Sequence, residues 1–171
     1  MIRPIPLFSL AFVLASLFSG CGANYTWKSP VPSEMRTVCV PTFRNESDVS
    51  EAGAVATRQV LREIQREGTF AIRNPGEAAL EIQGVVKAVK TGVRAYDRAT
   101  ERRLRAYDVS AVVEVSVVDK RQRKVLVDNR KYSPTVQATI GQDESTALRD
   151  ASGRLMEELA REVVDDLLNL K

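Results

Sequence analysis

The sequence predicts an α+β fold: a two-layer sandwich in which two helices pack on one face of a four-stranded mixed sheet, in the order β-α-β-β-β-α. Three observations lead there. From Leu104 to Asp119, Tyr107, Val109, Ala111, Val113, Val115 and Val117 alternate with mostly polar residues, the pattern of a long strand with one buried face. Two other segments, ending near Glu67 and Leu168, carry apolar residues at helical spacing. The first of these links the first strand to the second, which permits a parallel right-handed crossover. The remaining strands are joined by short loops and should form an antiparallel meander.

The chain begins with a single charge, Arg3, then Pro4-Ile5-Pro6, an apolar run from about Leu7 to Phe18, and Ser19-Gly20-Cys21. A positive start, a short apolar run and small residues at the cut read as a secretory signal peptide over residues 1–20. The run is too short for the ~20 residues of a spanning helix. Cys21 after two small residues resembles the lipobox of bacterial lipoproteins, with Phe18 where Leu is usual. That resemblance implies cleavage before Cys21, diacylation of its thiol and acylation of its amine. Residues 21–34 then form the lipidated N-terminus and an extended tether, rich in Pro30, Pro32 and Ser29. Tyr25 and Trp27 within it either meet headgroups or a partner, or pack on the domain's own edge.

A single α+β domain is expected over residues 35–171. Met35 to Phe43 is its first strand, with Pro41 ending it or placing it toward an edge. Arg44 to Asp48 is a turn into a helix that Ser47, Asp48 or Ser50 would cap, Asp48 and Glu51 having capping-box spacing. Ala56, Val60, Leu61 and Ile64 form its stripe, and Gly68 ends it. Phe70 and Ile72 make a short extended piece before the Asn74-Pro75-Gly76 turn. The second strand runs from about Ala79 to Thr91. Its apolar pattern spreads to both faces after Gly84, which reads as a bulge. Residues 92–103 connect to the third strand, and a fourth follows from Val125 to about Tyr132, loosened by Pro134. The last helix, about Gln142 to Leu168, has the stripe Leu148, Ala151, Leu155, Met156, Leu159, Ala160, Val163, Leu167 and Leu170.

Composition excludes much. Apolar content of 44% and charge content of 27% are ordinary for a globular domain, and a formal charge of +3 demands no nucleic acid. The chain has no His, which removes Ser-His and Cys-His catalysis and the commonest metal ligand. With Cys21 acylated, Cys39 has no partner for a disulfide, and in Thr37-Val38-Cys39-Val40 it reads as a small buried hydrophobe. Asp165-Asp166 and Glu157-Glu158 are adjacent pairs that point apart on a helix. No phosphate loop or metal spacing is present. No cofactor, metal or catalytic residue is expected.

Two basic segments are the sharper feature. Arg94, Arg98, Arg102, Arg103 and Arg105 flank the connection between the second and third strands. Lys120, Arg121, Arg123 and Lys124 fill the hairpin between the third and fourth. In a meander these lie at opposite ends of the sheet. Such side chains either bind phosphates and carboxylates or keep exposed turns soluble.

Several of these segments together resemble the LptE family of lipopolysaccharide-assembly lipoproteins. They are the Cys21 motif, the strand Arg36-Thr37-Val38-Cys39-Val40-Pro41-Thr42-Phe43-Arg44-Asn45, and the helix ending near Gly68. Ala79-Leu80-Glu81-Ile82-Gln83-Gly84, Tyr96-Asp97 ahead of a Val-rich strand, the basic hairpin and the long last helix complete the likeness. The resemblance implies a lipid-anchored protein on the periplasmic face of the outer membrane that plugs a large β-barrel, LptD, and helps deliver lipopolysaccharide to the surface. Lys120, Arg121, Arg123 and Lys124, with Arg98 and Arg102, are then candidates for its phosphates. The Val-Pro-x-Phe-x-Asn element also occurs in periplasmic lipoproteins that regulate a peptidoglycan synthase or a secretion pore, which is the alternative.

Overall fold

A computed structural model describes residues 31–95, 105–140 and 144–170. The signal peptide, Cys21 and the tether as far as residue 30 lie outside the described residues, as do Tyr96, Asp97, Arg98 and Arg102. After a one-turn 3-10 helix (Ser33–Met35) come β1 (Thr37–Cys39), β2 (Arg44–Asn45), α1 (Ala52–Glu67), β3 (Ala71–Ile72) and β4 (Leu80–Ala95). β5 (Arg105–Asp119), β6 (Lys124–Tyr132), β7 (Thr135–Ile140) and α2 (Glu144–Leu168) follow.

The class is as predicted, a mixed sheet with two helices against it, but among the described residues the sheet has seven strand segments instead of four. β1 and β2 lie end to end along β4, both parallel to it, pairing Val38 with Leu80 and Arg44 with Val85. β6 and β7 lie end to end along β5, both antiparallel. Each break falls at a proline, which has no N–H for the ladder. Past Pro41, the Phe43 N–H leaves the sheet for Thr57 Oγ1 at 2.9 Å. Past Tyr132, the Pro134 carbonyl accepts from Ala111 N at 3.2 Å, which carries the chain across to β7. The extended piece at Phe70–Ile72 becomes β3, parallel to β1 on the far side from β4.

The predicted parallel crossover through α1 and the meander of the later strands are both present. In β5 the alternation is realised: Val109, Ala111, Val113, Val115 and Val117 are buried and the residues between them partly exposed. Burial of each Val contributes about 1.5–3 kcal/mol. Ala56, Val60 and Ile64 of α1 and Leu155, Leu159, Ala160 and Leu167 of α2 cover that face. Gly68, at φ 84°, ends α1 and donates its N–H to the Ile64 carbonyl.

Two local expectations are corrected. No side chain caps α1 at Glu51. Asn45 organises that turn instead, accepting from Ser47 N (3.1 Å) and donating to the Val49 and Ser50 carbonyls. β4 shifts register at Lys87 and again between Val93 and Ala95, and not at Gly84, which pairs in register with Val115. The extra residue at Lys87 moves the inward positions from Ile82 and Val86, which are buried, to Val89, which packs partly buried against the core, and this explains the apolar residues on both faces.

Candidate functional site: a cationic hairpin at one end of the sheet

The β5–β6 hairpin holds four of the predicted site residues together on a turn built by a buried carboxylate. Asp119 is 3% exposed, and its Oδ1 accepts from the backbone N–H groups of Arg121 (2.8 Å) and Gln122 (3.0 Å). An Asp side chain bonding the backbone two residues on is a common turn device. Arg123 closes the turn in the left-handed region, at φ 53°.

The four cations fall into two pairs. Lys120 folds inward, donating to the Pro75 carbonyl and pairing with Glu81 at 3.1 Å. Arg121 reaches the Glu34 carbonyl at 3.4 Å. Arg123 and Lys124 are exposed, and neither pairs with an acidic side chain among the described residues. Only the second pair is open to a ligand without first losing a contact.

The 3-10 turn near the first described residues lies against the same tip. Val31 is 2% exposed, its carbonyl accepts from Arg36 Nε at 3.1 Å, and the 3-10 turn after it brings Glu34 to Arg121. A hollow of about 410 Å³ between them is lined by Glu34, Met35, Asp119, Arg121 and Gln122. A hydrogen bond from the backbone, another from Ser33 and the charge of Arg121 hold the Glu34 carboxyl below its ordinary value. Glu81 is also lowered, by hydrogen bonds from Gln83 and Lys120. Beside it, Cys39 is a buried free thiol, pushed up by burial and by the Glu81 charge.

At the hairpin end of the sheet Leu80 pairs with Asp119, and at the far end Ala95 pairs with Ala106. Arg98 and Arg102 are not among the described residues. A second hollow, of about 530 Å³, opens between the starts of the helices and is mainly apolar, with Val49, Val55, Val89 and Met156 in its wall. Among the described residues, no cluster of His, Cys, Asp and Glu could hold a metal, and no helix is long and apolar enough to cross a membrane.

Sequence reasoning missed two constellations. Phe43 is held by the Thr57 hydroxyl, lies across Gly84, and has its carbonyl against Gly53. Arg130, Tyr132 and Asp166 join β6 to α2. In each case the partners are distant in sequence, and no local pattern announces them.

A family model for lipopolysaccharide assembly, LptE, matches residues 35–169, from the end of the 3-10 turn to the end of α2. The chain belongs to the LptE family. LptE-type architecture also occurs in solved structures of low identity. One is from Helicobacter pylori, described as a neuraminyllactose-binding hemagglutinin homolog (11% identity, TM-score 0.52, covering 82% of this chain and 89% of that one). Another is protein XCC0632 from Xanthomonas campestris (12% identity, TM-score 0.50, covering 82% and 90%). At such identities the likeness is one of fold. Among curated proteins none matches this sequence.

Proposed function

We propose that this LptE-family chain is an outer-membrane lipoprotein, acylated at Cys21, that plugs an LptD-like β-barrel and assists lipopolysaccharide assembly without catalysing a reaction. The observation that carries the reading is the family match across the whole described domain. The exposed face of the sheet suits a water-filled barrel lumen. It presents Gln83, Lys87, Glu114 and Ser116, with Lys87 bridging Glu46 (2.9 Å) and Glu114 (3.5 Å).

Lipopolysaccharide phosphates are assigned to the hairpin, with Arg123 and Lys124 as the direct contacts and Lys120 and Arg121 as a positively charged base. Arg98 and Arg102 stay as candidates at the opposite loop. Replacing Arg123 and Lys124 with Ser lowers lipopolysaccharide affinity by about tenfold or more, because charge-assisted contacts to phosphate are lost. Unchanged binding in all four Ser variants returns the hairpin to a solubility role.

The barrel partnership is tested by tagging the chain beyond Lys171, solubilising outer membranes in mild detergent and identifying what co-purifies. A roughly equimolar complex with one large β-barrel is expected. Recovery of a peptidoglycan synthase or a secretion pore would replace this reading with a regulatory lipoprotein.

A further inference from the structure

The chain comes into the domain at its cationic end. Glu34 and Met35 of the 3-10 turn lie against the hairpin tip, and β1 starts at the same end of the sheet, so the described chain begins on the side where Arg123 and Lys124 stand. The ten Cα steps from Cys21 to Val31 reach at most ~35 Å when fully extended. An anchor at Cys21 therefore holds this end of the sheet near a bilayer and raises its effective concentration there.

The tip has the chemistry of a headgroup contact. Arg123 and Lys124 are uncommitted cations on a turn fixed by Asp119, and Val125 beside them is 51% exposed. The acidic groups nearby are partly spent, Glu81 on Lys120 and Asp119 on the backbone of the turn. Glu34 and Glu77 are exposed at this end, but Arg36, Arg73 and the four hairpin cations outnumber them.

We infer that the hairpin tip is a membrane-contact surface, with Arg123, Lys124 and Val125 resting on the anionic phospholipid headgroups of the leaflet that holds Cys21. The inference deepens the proposed function and rests on its lipid anchor. It fixes the domain's orientation, with the end of the sheet where Ala95 pairs with Ala106 pointing away from that leaflet. Opposite charges attract appreciably only within a Debye length, about 8 Å at physiological salt, so the tip must touch the surface.

The test uses the protein purified from membranes and reconstituted into vesicles of phosphatidylcholine, with or without phosphatidylglycerol. A fluorophore is placed on exposed Gln122 through Gln122→Cys, with Asp150→Cys on α2 as the distant control; Cys39 is buried. Nitroxide-headgroup lipid should quench the Gln122 probe in anionic vesicles, much less in neutral ones, and leave the Asp150 probe bright. Added salt should reverse the quenching. Arg123→Ser with Lys124→Ser should lower the contact equilibrium about 25-fold, at about fivefold per charge. Equal quenching in both vesicle types, or at both probes, overturns the inference. Flotation on neutral vesicles reports the anchor separately, and its failure removes the anchor and the inference with it. If lipopolysaccharide binding is lost in the variant while quenching persists, the membrane contact is refuted at these residues and the lipopolysaccharide role stands. The reverse outcome leaves the membrane contact and refutes the lipopolysaccharide assignment.

Discussion

Gly84 and Phe43 form the tightest residue-level constraint in the domain. A Cβ built on Gly84 would lie 2.2 Å from Phe43 Cδ2, so the ring occupies the space a side chain would need. Phe43 cannot easily retreat, because its N–H is bonded to Thr57 and a Cβ on Gly53 would lie 2.4 Å from its carbonyl oxygen. Gly84→Ala should therefore destabilise the fold by about 1–3 kcal/mol, the usual cost of overpacking. Urea denaturation measures this, and adding Phe43→Leu to Gly84→Ala should recover part of the loss. The sequence singled out Gly84 as a bulge, whereas it pairs in register with Val115 and is needed for the room it leaves. That need was not legible, because the ring comes from the break between β1 and β2, far away in sequence. Tyr132 gives a second residue-level prediction. Its hydroxyl donates to Asp166 Oδ2 at 2.6 Å, Arg130 pairs with the same oxygen at 3.1 Å, and the guanidinium lies 5.8 Å from the ring centre. Burial first, then the hydrogen bond and the charge of Asp166, push the phenol well above its ordinary value. The folded state thus keeps a proton that the unfolded chain releases near pH ~10. The stabilisation is fully present below that pH and falls as pH rises above it, by up to about 1.4 kcal/mol per unit. Tyr132→Phe should remove this alkaline loss, read from denaturation midpoints across that range, and should cost about 0.5–1.5 kcal/mol at neutral pH.

At the scale of elements, irregularities shape the β5–β6 ribbon. β6 has two register shifts, near Leu126 and at Asp128–Asn129, where Asn129 takes φ 44° and its N–H meets Ser116 Oγ at 2.9 Å. Bulges bend and twist an edge strand, which discourages pairing with another chain. The second shift also turns Arg130 toward Asp166. The hairpin tip depends on Asp119 in the same way. Asp119→Ala leaves the N–H groups of Arg121 and Gln122 without their acceptor and should cost about 1–3 kcal/mol. Amide exchange at those two residues should rise well above that of the β5 core. Asp119→Asn keeps an oxygen at the acceptor position and should retain most of the protection, whereas equal exchange in both variants would show that the charge, and not the geometry, holds the turn. Elements with strong local grammar were readable in advance: the Val alternation of β5, the stripes of both helices and the stop at Gly68. β7 was not, because Pro134 looks like an ending while its carbonyl in fact keeps β5 company. The start of α1 was misread for a similar reason, since Asn45 acts from outside the helix.

At the scale of the whole molecule, the sheet separates a sealed layer of helices from an exposed polar face and puts the cationic hairpin beside the first described residues. The order of elements was legible because each crossover or hairpin follows from connection length. The division of the hairpin cations into committed and open pairs was not, since Glu34, Pro75 and Glu81 reach them only in three dimensions. The proposed anchor determines how this arrangement is used. One acyl chain gives only marginal, reversible membrane binding, whereas two or more hold a protein stably. Diacylation of the Cys21 thiol and acylation of its amine would pass that threshold without any spanning helix. The intact protein should then have the mass of the chain from Cys21 to Lys171 plus a diacylglyceryl group and an amide-linked acyl chain, and it should partition into detergent. Cys21→Ser should appear in the aqueous phase with the same folded domain, because the family's matched domain begins only at residue 35. A wild-type mass without acyl groups would refute the anchor and leave the family's fold and assembly role to be explained by protein contacts alone. An acylated mass would make the tether's reach, and with it the orientation of the hairpin, a physical constraint on how the domain meets its barrel.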